Sequence, residues 1–202
     1  MSTAAKKFVS PAEFLALEAV AEGKHEYFQG EIFAMAGGSP AHNRIVGNLY
    51  GRLFQQLDGQ PCQPNTSDVM VKVEATGLYT YPDVSVACPP LEREAGGLEV
   101  LLNPRVLVEV LSPSRETYDR TVKFRHYRRI PSVTDILLVL QDEPVVEHYR
   151  RQAKDVWELT TSSGLDDTVT LASINCRLPL AQIYAQVEFP PPAFAVESRA
   201  PH

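Results

Sequence analysis

The chain reads as an α/β (α+β) protein organised on strands covered on both faces, and three observations carry that reading. Val106–Leu111 and Asp135–Leu140 are nearly unbroken runs of branched and apolar residues, whereas a strand with one wet face would alternate with polar ones. Apolar residues at helical spacing recur from Pro40 to about Leu57 and again from Tyr118 to Ile130, so helices lie before and between those strands. At 202 residues the chain is most simply one domain, 1–189, followed by a loose tail, 190–202, whose PPPAFAVESRAPH has little to bury.

Taken in order, Ser10, Pro11 and Glu13 start a short helix in which Phe14, Leu15 and Leu17 pack and which Gly23 stops. HEYFQGEIFAMAGG follows as two strand-like pieces joined by Gln29 and Gly30, a hairpin with Glu31 on the side of Phe33 and Met35. Ser39 and Pro40 then cap and open the first long helix, with Ile45, Val46, Leu49, Leu53 and Phe54 as its buried stripe and His42 one turn ahead of it. After a turn at Asp58 and Gly59, strands are expected over Asp68–Glu74 and Tyr81–Ala87; Pro82 restricts the latter to beginning a strand or lying at an edge. Residues 89–104 read as a loop with one helical turn. The buried strand ending at Leu111 leads through Ser112 and Pro113 to Ser114, a helix cap. Val145–Arg150 and Val156–Thr160 form a closing antiparallel pair, and Leu178–Ala185 a last short helix.

Net charge is −6 and the pI about 5.4, so there is no global attraction for nucleic acid. Charge is unevenly spread. Between Arg115 and Arg129 six basic residues (Arg115, Arg120, Lys123, Arg125, Arg128, Arg129) face two acids, leaving that stretch net +4 and the rest net −10. Such a face can hold a phosphate backbone with steep salt dependence, or be a solvated outer helix surface. Cys62, Cys88 and Cys176 are far apart without paired spacing, which indicates neither a disulfide framework nor a zinc site and implies a reducing cytoplasm. The first ten residues lack an apolar signal core, and no apolar run of about 20 residues exists.

Chemistry concentrates on three positions. Asp83 and Glu109 are lone acids in apolar strands, a costly arrangement without a cation nearby. Two carboxylates brought together suit magnesium or manganese, which keep several waters and take few protein ligands. Lys123 lies inside the apolar arc of its helix with Phe124, Tyr127 and Ile130, so it can reach the same cleft and offset charge developing on a phosphate. The structural alternative for the two acids is pairing with nearby basic residues.

These segments resemble a known family. FVSPAEFLALEA, HEYFQGEIFAMAGGSPAHN, YPDVSV, VEVLSPS and DRTVKFRHYRRIPSVTDILLV, spanning Phe8 to about Phe189, are similar in succession to the Uma-two family of "putative restriction endonucleases" within the PD-(D/E)XK nuclease superfamily. The resemblance implies a restriction-endonuclease-like core, a mixed central β-sheet flanked by helices, with a divalent metal at Asp83 and Glu109. The superfamily's third motif position, usually lysine, is Leu111 here; Lys123 on the following helix stands at the matching place, and Lys72 is a second candidate. Glu31 matches the acid of the family's GE turn as a further metal ligand, or is a hairpin acid paired with a lysine. His42 matches a position at the cleft mouth, able to contact phosphate or move a proton, or is a satisfied core histidine. Tyr127 either bonds near the metal or packs, and Asp119 is a salt-bridge partner for Lys123.

The expected activity is magnesium- or manganese-dependent hydrolysis of DNA by a homodimer whose contact lies around Val145–Thr160 or another sheet edge. The alternative is a non-cleaving nucleic-acid-binding or regulatory protein that retains the fold. No Gly-rich phosphate loop points to a nucleotide cofactor.

Overall fold

The computed structural model describes residues 8–95, 98–112 and 116–190. The expected cap Ser114, Arg115 of the basic stretch and 191–202 of the expected tail lie outside them. In chain order the elements are α1 (Pro11–Glu18), β1 (His25–Phe28), β2 (Glu31–Ala34), α2 (Pro40–Leu57), β3 (Gln63–Thr66), β4 (Met70–Val73), β5 (Leu78–Thr80), β6 (Val84–Ala87), β7 (Val100–Leu101) and β8 (Pro104–Leu111). Next come α3 (Glu116–Tyr118), a π turn (Asp119–Lys123) and α4 (Phe124–Tyr127), run together as one helix. The remainder is β9 (Asp135–Leu140), β10 (Val145–Ala153), β11 (Val156–Ser163), β12 (Thr168–Leu171), a 3-10 turn (Ala172–Ile174), β13 (Cys176–Pro179) and α5 (Leu180–Ile183).

The main sheet has strand order β11-β10-β9-β8-β6-β3 and is mixed: β8 and β9 run parallel across the helical crossover at 116–127, and the other neighbours are antiparallel. A second, five-stranded sheet has the order β2-β1-β5-β4-β7. β8 is buried on both sides, and its alternation decides what each side meets. Val106, Val108 and Val110 pack toward α2, against Ile45, Leu49 and Leu53. Leu107 and Leu111 pack on the other side, against Tyr127, Ile130 and the second sheet's Val71 and Val73. Glu109, with the parity of Leu107 and Leu111, is thereby turned toward the crossover helix. Each fully buried α2 side chain contributes on the order of 2 kcal/mol, enough to fix that helix across the sheet.

Local chemistry explains the boundaries. Ser10 and Glu13 form a capping box at α1, and Ser39 caps α2 with Pro40 at its first position. α1 nevertheless ends at Glu18, well short of Gly23, and Leu17 is exposed because so short a helix offers one narrow face, which Phe14 fills. Gln29 and Gly30 both take positive φ (49° and 84°), the twist a two-residue hairpin needs. Phe54 is exposed, and Leu57 completes the buried stripe of α2 in its place. The expected strand over Asp68–Glu74 shortens to β4, and that over Tyr81–Ala87 starts only at Val84. Residues 89–104 hold the short strand β7 and, among the described residues, no helical turn. Leu178 belongs to β13, and the last helix covers only α5.

One expectation about the cysteines is corrected. Cys62 precedes β3 and Cys88 follows β6; the register Gln63↔Ala87 brings their Cα atoms to 4.1 Å, and they form a disulfide with S–S 2.09 Å. Nothing in a 26-residue spacing announces this, because strand pairing creates the proximity. Cys176 is a buried free thiol. No helix among the described residues is long and apolar enough to cross a membrane.

Candidate active site

Asp83 stands where the chain passes from one sheet to the other. It leaves the second sheet at Thr80 and enters the main sheet at Val84, and Pro82, which has no N–H to donate, occupies the joint where no ladder bond is required. Val84 pairs with Val108, and one step beyond that register the ladder is continued by a side chain: the Val110 amide donates to Asp83 Oδ2 at 2.7 Å. The carboxylates of Asp83 and Glu109 thus flank one stretch of β8, and both line a cleft of about 350 Å³. Its remaining wall comes from Met35–Ser39, His42, Val110, Ser112, Asp119, Lys123 and Gln141.

The crossover helix supplies the cation. Lys123 is 2% exposed, and its Nζ lies 3.0 Å from Glu26, 3.2 Å from Glu109 and 3.6 Å from Asp119. Burial opposes its charge, yet the surrounding carboxylates outweigh burial and hold it firmly as an ammonium. The Tyr127 hydroxyl donates to Glu109 Oε1 at 2.5 Å. Burial pushes the Glu109 carboxyl well above the usual range; Lys123 opposes the shift, and Asp83 and Asp119 add to it. Glu26 is also buried, but Lys123, Thr80 and Tyr118 outweigh the burial and lower it. The Thr80 and Tyr118 hydroxyls donate to Glu26 at 2.6 and 3.1 Å.

A π turn places these groups. The Phe124 amide donates to the Asp119 carbonyl, five residues back, and inserts one extra residue between the Tyr118 end and the Tyr127 end of the helix. On the opposite wall, Ser39 Oγ accepts from the His42 amide at 3.1 Å and donates to Gln141 Oε1 at 2.9 Å. His42 Nε2 is 3.2 Å from Asp83 Oδ2. Burial disfavours a charged His42, but Asp83 outweighs it and raises the pKa. A Cβ at Gly38 would stand 2.3 Å from His42 Nδ1, so only glycine leaves the ring this place.

The structure therefore brings Asp83, Glu109, Lys123, His42 and Tyr127 together, and Asp119 pairs with Lys123 as expected. It leaves two candidates elsewhere. Lys72 binds Glu94 on the second sheet, over the ring of Tyr79, and does not line the cleft. Glu31 lies opposite Phe28 at the turn end of the hairpin, also away from the cleft wall, which β2 reaches only past its other end, at Met35–Ser39. The residue missed in that segment is Glu26, a single acid between aromatic neighbours in HEYF, which the criterion applied to Asp83 and Glu109 would have selected.

The donor set fits a divalent cation. Three carboxylates (Glu26, Glu109, Asp119) meet the Lys123 ammonium and a fourth, Asp83, shares the cleft, and no hydrogen bond among the described residues engages Asp83 Oδ1 or Glu109 Oε2. Among the described residues no group of three or more histidine, cysteine or acidic side chains is placed to hold a metal ion, so a cation here would rest on two carboxylates and water. Two carboxylates plus water are what magnesium or manganese accepts, and too few for structural zinc.

Comparison with known proteins places the fold in context. The Uma2 family model, described as "Putative restriction endonuclease", matches residues 11–181. "Uncharacterized protein slr1290" of Synechocystis sp. is 38% identical over 181 residues, covering 90% of this chain and 94% of that protein. "Uncharacterized protein sll1609" of the same organism is 34% identical over 164 residues, covering 81% and 93%. The crystal structure of a "putative nuclease belonging to DUF820" from Anabaena variabilis superposes with TM-score 0.70 at 20% identity, covering 88% of this chain and 98% of that one. The restriction-endonuclease-like core implied by the sequence is the fold of this chain.

Proposed function

The chain belongs to the Uma2 family, and from that premise we propose that it is a divalent-metal-dependent endonuclease that hydrolyses phosphodiester bonds in DNA. The observation that supports this most directly is that Asp83, held on the Val110 amide, and Glu109 line one cleft that also receives the Lys123 ammonium. Magnesium or manganese held by Asp83 and Glu109 would act as a Lewis acid and acidify a bound water. Lys123 supplies fixed positive charge where negative charge develops on the phosphate. Tyr127 and Glu26 orient the two partners of the Lys123–Glu109 pair, and His42 holds Asp83 from the helix side. Enzymes that cut both strands of a duplex generally work as a symmetric pair of centres. We include a homodimer in the proposal, with β11, one of the two edge strands of the main sheet, as the edge a twofold partner would join; its Val156 and Leu159 are 54% and 50% exposed.

The test is a nuclease assay on duplex, single-stranded and branched DNA with magnesium and with manganese. Asp83→Ala and Glu109→Gln are expected to abolish metal-dependent cleavage while leaving the circular dichroism spectrum unchanged. Full activity in either variant refutes the assignment. The second reading, a non-cleaving nucleic-acid-binding or regulatory protein, draws support from Lys123, whose ammonium is already surrounded by three carboxylates. Calorimetric titration with manganese separates the two, since a binding module has no need for metal affinity that depends on Glu109.

A further inference from the structure

The basic stretch found in the sequence is divided by the fold. Lys123 turns into the cleft, and Arg120 bridges Glu116 and Glu147. Arg125, Arg128 and Arg129 do neither. They line a separate concavity of about 1040 Å³, joined there by Arg151 and by Lys154 from the β10–β11 turn. With Asp155 the only acid on its wall, the concavity is net +4 on a chain of net −6.

Its scaffold is built for this shape. The Arg151 guanidinium donates to the carbonyls of Val133, Arg128 and Ile130 at 2.7, 3.0 and 2.9 Å and lies over the Trp157 ring at 4.4 Å. It ties the segment carrying Arg128 and Arg129 to the hairpin carrying Lys154, and it neutralises the carbonyl end of α4. With that need met, the other cations are not required as caps. Among the described residues no carboxylate forms an ion pair with Arg125, Arg128, Arg129 or Lys154, whereas Lys24, Lys72, Arg93, Arg120 and Arg150 each have at least one.

The concavity is not part of the cleft. The cleft lies at the C-terminal ends of β8 and β9, at Ser112 and Gln141; the arginines precede the start of β9. Glu109 pairs with Leu138, three strand steps of about 3.3 Å, roughly 10 Å, beyond the start of β9 at Asp135, and the cleft and the concavity share no lining residue.

We infer that this concavity is a second nucleic-acid site, one that grips the phosphate backbone of duplex DNA away from the cleft. Two features favour that partner. The acidic cleft repels a polyanion, so binding affinity must arise elsewhere on a net-negative chain. The wall is mostly arginine, whose planar fork matches phosphate oxygens, and Pro131 is its sole apolar lining residue, which gives no anchor pocket for a peptide and no seat for an acyl chain. The inference takes DNA from the proposed function but needs no catalysis.

The experiment is fluorescence anisotropy of a labelled 20-base-pair duplex with the full chain in EDTA, across 50–200 mM salt, where neither metal nor cleavage contributes. The variant Arg125→Ala/Arg128→Ala/Arg129→Ala removes up to three phosphate contacts, so the slope of log affinity against log salt should fall by about 3. Wild type should then lose about 40-fold more affinity than the variant over that fourfold salt range. Arg52→Ala/Arg177→Ala, on a different surface, controls for lost charge and should keep the wild-type slope to within about 1. Equal slopes for the two variants overturn the inference, as does wild type that does not bind. Arginine-dependent binding to phosphatidylserine vesicles without such binding to DNA also overturns it and identifies a membrane surface. Metal-dependent cleavage alongside a negative binding result would leave the nuclease reading standing and remove only this site.

Discussion

Replacing Glu109 by glutamine should uncouple the stability of the protein from divalent metal. Glutamine keeps the shape and an oxygen to accept from Tyr127 and Lys123, and it removes one of three carboxylates around a single ammonium. In EDTA the variant should therefore be at least as stable as wild type, unlike most changes at a residue only 3% exposed. With manganese the order reverses. A ligand at 100 times its dissociation constant stabilises the folded state by about 2.7 kcal/mol. For a domain of this size that raises the melting midpoint by about 5–11 °C. Wild type should show that rise, and Glu109→Gln should lose nearly all of it. Differential scanning fluorimetry with and without metal reads both effects. An equal metal-induced rise in the variant would refute the cleft as the metal site, and a large loss of stability in EDTA would refute the view of Glu109 as an excess buried charge.

Lys123→Met leaves Glu26 and Glu109 buried without their cation and should cost about 3–5 kcal/mol in urea denaturation; a loss under 1 kcal/mol would contradict the observed clamp. Gly38→Ala should lower cleavage about ten- to a hundredfold by pushing His42 off Asp83, while Gly37→Ala, whose Cβ meets nothing within 4 Å, should have a much smaller effect on the same assay. Asp135 should govern part of the acid limb of stability. Burial raises its pKa, but His148, Ser173 and Thr134 outweigh burial and hold it below the ordinary 3.8. A depressed carboxyl stabilises the fold above its unfolded-state value and loses that contribution as pH falls through the folded value, so the effect lies below about pH 4. Urea midpoints between pH 6 and 2 should drop less steeply for Asp135→Asn than for wild type; parallel curves would exclude Asp135.

Much of the fold was legible because burial leaves a strong mark on strands and long helices. β8, β9, α2 and the hairpin at Gln29 and Gly30 are where their apolar runs, cap and turn residues put them. Short strands such as β3, β5 and β12 carry no such mark, since four residues or fewer show too little periodicity to separate strand from loop. Asp83, Glu109 and Lys123 were legible as isolated charges in apolar surroundings. Glu26 was hidden by the neighbouring Glu31, a better match to a turn motif, and the Cys62–Cys88 bond by a register that only the folded sheet defines.

The π turn at Asp119–Lys123 ties the reach of the helix to its residue count. Tyr118 and Tyr127 are nine residues apart, which at 100° per residue would set them on opposite sides of a regular helix. Taking up one residue in the wide turn reduces the effective separation to about eight steps, roughly 80°, so Tyr118 can meet Glu26 while Tyr127 meets Glu109. A gene shortened by one codon in this segment would still encode a crossover of adequate length. With one residue fewer and no wide turn, its two tyrosines would stand eight regular steps apart, about 80°, and both acids could keep their hydroxyl partners.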